Sequence, residues 1–190
     1  MLTATYAIVT LTVEQKKARG TLSKLHQQIR NKTATPEAHD RSAYETILYQ
    51  LVQFDESCHW RNIELYVMPA LRNASTEADE LISKIESLSS HGENILRDCR
   101  AHLRRGFVED VEEVARICKA MDSYCRLMME RMDKEEHELL PIAQHVISSK
   151  DWFDLAAQFI SHDAEIHAHK PIAPSGRHAI GLIQHQSAMA

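Results

Sequence analysis

Two segments of the sequence share a pattern that could hold a metal ion on a helix. In both segments, 59–69 and 131–141, a polar or basic residue stands ten positions before a proline. Residues four positions apart lie on one face of a helix, so a histidine or carboxylate followed by a carboxylate can bind one metal ion from adjacent turns. Each segment keeps half of such a pair. The two pairs are His59 with Ile63, and Arg131 with Glu135.

Five amphipathic segments must position these residues. Apolar side chains recur every three or four positions in each segment, which predicts helices, and proline, glycine and capping residues mark their ends. The predicted helices span about 5–31, 36–69, 76–106, 107–148 with a bend near Pro141, and 151–166. On the third helix the predicted inward positions are Leu81, Ile85, Leu88, His91, Ile95, Cys99 and His102.

Short links between long amphipathic helices predict an up-down antiparallel four-helix bundle over residues 5–148. A C-terminal helix over 149–169 then packs on the bundle or extends it, and residues 170–190 form a flexible tail. Composition agrees with an all-α class, because 44% of the residues are hydrophobic and only five are glycine and five proline.

Charge and cysteine usage exclude several function classes. A net charge of −5 offers no basic stripe for a phosphate backbone, so no nucleic-acid partner is expected. The uncharged run from Met1 to Val13 is too short to span a bilayer, so no membrane association is expected either. Four cysteines without a CxxC pair indicate a reduced, cytoplasmic protein.

Five short motifs recur along the chain in a characteristic order. They are Leu11-Thr-Val-Glu-Gln15, Cys58-His59-Trp60, Ser90-His91-Gly-Glu93, Lys134-Glu-Glu-His-Glu-Leu-Leu-Pro141 and Lys150-Asp-Trp152. In this order and spacing they resemble the bacterial hemerythrin-like family, also called the HHE cation-binding domain. The resemblance covers most of residues 11–163. Members of that family are four-helix bundles with a di-iron or other metal site in the core.

The resemblance implies a set of ligand positions. The family's ligands are a first-helix histidine, a His-x-x-x-Glu pair on the second and fourth helices, and a third-helix histidine. Three of these positions keep a ligand type, and the other three are substituted. The kept residues are His59, His91 and Glu135, and the substituted positions carry Gln15, Ile63 and Arg131.

Two interpretations of this centre remain open. In the first, Arg131 satisfies a buried Glu135 one helical turn away, Gln15, His59 and His91 complete a hydrogen-bonded network, and no cofactor is bound. The protein is then a binding or regulatory module and not an enzyme. In the second, His59, His91 and Glu135 hold iron or another divalent metal for O₂, NO or redox sensing or for iron handling. The sequence favours the first interpretation and leaves a protein partner and a homodimer open.

Overall fold

The structure, a computed structural model, describes residues 2–34, 41–104 and 111–169. These residues form helices and no strand, which confirms the predicted all-α class. The predicted helix ends at residues 35–36 and 106, and the predicted tail at 170–190, lie outside the described residues. The helices are α1 (Leu2–Ala34), α2 (Arg41–His59), α3 (Met68–Ala74), α4 (Asp79–Arg104), α5 (Val111–Lys134), α6 (Leu140–Val146) and α7 (Ser149–His169).

Two π-helical turns and one 3-10 turn connect some of these helices. The first π turn, Ile63–Val67, leads into α3, and the second, Glu135–Leu139, leads into α6. In both cases a proline follows as the second residue of the next helix. Proline lacks an N–H and its ring clashes with the carbonyl four residues earlier, so a regular α-turn is disfavoured there and a wider turn is accommodated.

The long helices enclose a common core. Helix α1 contacts α2, α5 and α7, and α4 contacts α2 and α5. None of the helices in the described ranges combines the length and the apolar character that crossing a bilayer requires.

Two apolar clusters make up this core. The first is formed by the C-terminal halves of α1 and α4 with α2 and α5, and it contains all four cysteines, which are buried and free. The second is formed by the N-terminal parts of α1 and α4 with the π turns, α3, α6 and α7. Between the two clusters lies a layer of buried polar side chains: Gln15, Arg61, Asn62, Arg131 and Glu135.

The inward face of α4 differs from the predicted one at several positions beyond Ile85, although Cys99 is buried as predicted. Ser89, Gly92 and Leu96 are buried, whereas His91 and His102 are exposed. A Cβ atom at Gly92 would lie 2.8 Å from the Met128 Cε and 3.2 Å from the Tyr124 ring, so a glycine is what allows α4 and α5 to approach closely here. Serine and glycine carry no hydrophobic signal, and the periodicity therefore pointed wrongly to His91.

Candidate functional site

Glu135 lies at the centre of the polar layer and is fully buried. Its Oε1 accepts a hydrogen bond from Arg131 Nε at 2.9 Å, and its Oε2 accepts one from Arg61 Nη2 at 2.7 Å. Gln15 Nε2 donates a further bond to Oε2 at 2.9 Å. Two guanidinium groups and one amide thus satisfy this carboxylate, as a buried ionised group requires.

Side chains from other helices complete the network. Gln15 Oε1 accepts a bond from Arg61 Nη2 at 2.5 Å, so the amide bridges Arg61 and Glu135. On the other side, Arg131 forms an ion pair with Glu64, a part-buried residue of the first π turn. Arg131 is therefore held between two carboxylates.

A break in the helix brings Arg61 into the centre. Helix α2 ends at His59, and the amides of Trp60 and Arg61 bond to carbonyls three residues earlier, at 3.3 and 3.2 Å. His162 of α7, which is buried, lies with its Nε2 2.8 Å from the Trp60 carbonyl oxygen. Because a carbonyl only accepts, this ring nitrogen donates, and α7 thereby stabilises the break.

Glu14 of α1 holds the chain just after the break. Its carboxylate accepts bonds from the Asn62 backbone N–H at 3.2 Å and from the Asn62 side-chain amide at 2.8 Å. Burial raises the pKa of Glu14 above its ordinary value, and the Arg61 charge offsets this only in part. The helix therefore resumes at Asn62, and the hydrogen bonds between Asn62 and Glu14 connect its first turn to α1.

The two guanidiniums decide the protonation of Glu135. Burial by itself would raise the pKa of this carboxyl, but the charges of Arg61 and Arg131 outweigh burial, so its pKa lies below the ordinary value. The carboxyl is consequently ionised at neutral pH. The centre contains a carboxylate between two permanent cations.

The two arginines are not equally satisfied. Arg61 Nε and Nη1 are buried and have no hydrogen-bond partner among the described residues, and the same is true of Asn62 Oδ1 and Arg131 Nη2. Each buried polar group without a partner costs about 1–3 kcal/mol. Arg131 has one such nitrogen against two in Arg61, and its guanidinium lies between two carboxylates.

The structure separates the predicted site residues into two groups. Gln15, Ile63, Arg131 and Glu135 are buried. The structure does not bring His59 and His91 to the same centre, because the His59 side chain is 44% exposed and His91 is exposed.

The physical reasons for the two displaced histidines differ. At His59 the helix has reached its break, and Cys58 and Arg61 point inward on either side. At His91 the neighbouring Gly92 takes the inward position on α4. Within the described ranges, the predicted metal set of His59, His91 and Glu135 is thus not assembled.

The residues present at this centre do not fit a metal ion. Both oxygens of Glu135 are engaged by cationic side chains, and Ile63 offers no ligand atom. Two guanidiniums place fixed positive charge where a cation would have to lie, and that charge repels a metal ion.

Sequence reasoning missed Arg61, Asn62, Glu64 and His162. A signal for Arg61 was present, because Leu51, Phe54, Cys58 and Arg61 form one stripe at helical spacing. A second series of residues, spaced by four and passing through His59 and Ile63, predicted a different inward face. For His162 we find no signal, because the carbonyl that it contacts becomes available only at the break.

The cysteines do not supply a nucleophile at neutral pH. Burial raises the pKa of Cys99 to about 11 and that of Cys125 to about 12. The reactive form of cysteine is the thiolate, so these two side chains remain unreactive thiols in the apolar core.

Comparisons with known protein families, curated proteins and solved structures gave no match. The resemblance to hemerythrin-like proteins accordingly depends on the sequence motifs alone.

Proposed function

We propose that this protein is a hemerythrin-like bundle with a degenerate metal centre, acting as a non-enzymatic binding or regulatory module. The observation that carries the proposal is the buried Glu135 neutralised by Arg61 and Arg131. Built-in cations then take the place of bound ones, and the bundle keeps its charge balance without a cofactor.

The proposed architecture is an up-down antiparallel four-helix bundle with α7 added to it. The contacts of α1 with α2 and α5, and of α4 with the same two helices, support a closed arrangement of four. The two echoed segments, 59–69 and 131–141, also support it. Each carries a π turn that begins at its fifth residue, as expected if they occupy equivalent places in a bundle with internal symmetry.

The alternative, a reduced iron site of His59, His91 and Glu135 used in sensing or iron handling, has less support. Its carboxylate is fully buried, while both of its histidines are exposed. Binding iron there would require both histidines to turn inward and two arginines to leave, uncovering buried charge.

The non-enzymatic assignment is supported by the state of the ionisable groups at the centre. General acid–base catalysis works best with a group whose pKa lies near the working pH. Glu135 has a lowered pKa and both of its oxygens accept hydrogen bonds, and the arginines stay charged. The proposed role is binding in the cytoplasm, with a protein partner or a second copy of the chain as the occupant and without nucleic acid.

A gain-of-metal variant tests the proposal. Gln15→His, Ile63→Glu and Arg131→His restore ligand types at the substituted positions, and Arg61→Leu removes the second guanidinium. After anaerobic incubation with Fe(II) and desalting, this variant is expected to retain more iron than the native chain. Circular dichroism reports whether it is folded.

A matched control identifies where that iron binds. Adding Glu135→Gln to the same variant removes the central carboxylate and is expected to abolish the gain. A folded variant that retains no more iron than the native chain would show that these positions are not a lost metal site.

A further inference from the structure

A second cluster of ligand-type side chains lies outside the arginine–glutamate centre. Asp55 and His59 are one turn apart on α2, and Glu93 faces them from α4. One ligand atom from each of the three residues lies within 4.8 Å of the other two. His59 Nε2 is 3.2 Å from Glu93 Oε1. Ligands of one tetrahedral Zn²⁺ ion are separated by about 3.4 Å, given metal–ligand bonds of roughly 2.0–2.2 Å.

A hydrogen bond already orients one of these three ligands. Tyr124 donates its hydroxyl to Asp55 Oδ1 at 2.9 Å, which fixes this buried carboxylate. Ligating carboxylates are characteristically hydrogen-bonded in this way. Glu64 Oε2 lies 3.9 Å from His59 Nδ1, which is beyond hydrogen-bond distance but leaves a carboxylate near the ring nitrogen opposite the one that faces Glu93.

We propose that Asp55, His59 and Glu93 bind one borderline divalent cation, such as Zn²⁺, between α2 and α4. Two carboxylates and one neutral imidazole supply a charge of −2, which matches a divalent ion. An imidazole ligand favours ions of the zinc type over Ca²⁺ and Mg²⁺, which prefer oxygen alone. Three protein ligands would leave a fourth tetrahedral position for water.

The exposure of two of the three ligands suits closure around an ion. His59 and Glu93 are 44% and 49% exposed, so their side chains can shift by the small distance that coordination requires. Asp55 is the fixed member. The nearby Arg131 charge would oppose a cation, but Arg131 is paired with Glu64 and Glu135.

The simpler account of these contacts is an ordinary surface ion pair between His59 and Glu93. The two accounts differ in one measurable respect. A bare ion pair has no preference for a metal ion, whereas a site with oriented ligands binds one ion per chain and loses it when a ligand is removed.

Isothermal titration calorimetry of the untagged protein with Zn²⁺ tests the proposal. The visible absorption of bound Co²⁺ serves as a second readout. The native chain is expected to bind one ion at a site that His59→Ala and Glu93→Gln each weaken by about 100-fold or more. Tyr124→Phe, which removes only the orienting hydroxyl, is expected to weaken it by roughly tenfold to 100-fold.

His102→Ala is the matched control. His102 is also exposed and lies 2.8 Å from a glutamate, Glu113, but it stands outside the cluster. Its replacement is expected to leave the affinity unchanged. Absence of zinc binding, or equal loss of affinity in all variants, would overturn the proposal. Because Glu93 belongs to no ligand set at the buried centre, its variant separates this site from that centre.

Discussion

Residues 59–69 and 131–141 have the same length, the same closing proline and a π turn at the same place, yet their first residues point in opposite directions. Arg131 is buried within a continuous helix, whereas His59 is exposed and its helix breaks directly after it. In the first segment the inward charge comes two residues later, from Arg61. The backbone break, rather than the residue type, decides which side chain reaches the centre.

The difference also shows how one buried charge can be satisfied from two unlike segments. The second segment supplies the carboxylate and one guanidinium from adjacent turns, Glu135 and Arg131. The first supplies the other guanidinium from an irregular stretch. Removing one partner of such a network leaves an uncompensated buried charge, which makes each member testable.

The largest effect is expected for Glu135→Gln, which removes the shared partner of both segments. Two buried guanidiniums lose their common anion, and the free energy of unfolding should fall by about 3–5 kcal/mol. Urea unfolding at pH 7 measures this. The adjacent Glu136→Gln is the control, because Glu136 is exposed, and its effect should stay within about 0.5 kcal/mol. Equal effects of the two changes would contradict the account.

Arg131→Met and Arg61→Met compare how much the arginine of each segment contributes to stability. Arg131 is held between two carboxylates, and its loss should cost about 3 kcal/mol of stability. Arg61→Met should cost about 1 kcal/mol less, because it removes two buried nitrogen atoms that lack hydrogen-bond partners, whereas Arg131→Met removes one. Urea unfolding of both variants decides this. A larger loss for Arg61 would mean that its N–H groups are satisfied.

Gln15→Leu breaks the bridge between Arg61 and Glu135 without removing a charge. The loss of stability should be about 1–2 kcal/mol, since hydrogen bonds to two charged groups disappear while the volume is largely kept. Thermal unfolding monitored by circular dichroism measures it. Gln27→Leu, on the exposed side of the same helix, should change stability by less than about 0.5 kcal/mol.

The smallest expected effect is on the pH dependence of stability. It is the difference between the native chain and Arg131→Met in how steeply the free energy of unfolding falls with acid. The folded pKa of Glu135 is lowered, so its contribution to stability is present above the unfolded pKa and is lost as pH falls through the folded one. Arg131→Met raises that folded pKa and should flatten the acid loss of stability. Glu14 and Asp55, whose raised pKa values act with the opposite sign, are present in both chains. If urea unfolding shows the same acid-induced loss of stability in both chains, the pairing of Arg131 with Glu135 would be contradicted.

The fold class and part of the centre could be predicted from the sequence. Regular spacing of apolar residues gave the helices. The echoed segments pointed to Ile63, Arg131 and Glu135, and the family resemblance implied Gln15; all four are buried. The pairing of Arg131 with Glu135 also follows from their spacing of four residues, because such residues share a helix face.

The rest could not be predicted, because it depends on departures from regular helix geometry. No glycine or proline stands between Ser57 and Asn62 to announce the break, and its stabilising contact comes from His162, about a hundred residues away. Likewise, Gly92 became the inward residue of α4 only because α5 packs closely against it. Periodicity assumes an unbroken helix, which misplaced His59, and it gives no weight to serine or glycine, which misplaced His91.

The most direct test of the central claim is the iron content of the buried centre. The untagged Glu93→Gln protein, which lacks the proposed surface site, would be incubated anaerobically with Fe(II), desalted and measured by elemental analysis with its near-ultraviolet and visible spectrum. We predict substoichiometric or no iron and no oxo-bridge absorption, because two guanidiniums already satisfy Glu135. About two irons per chain with an oxo-bridge absorption would contradict this and would establish a di-iron centre.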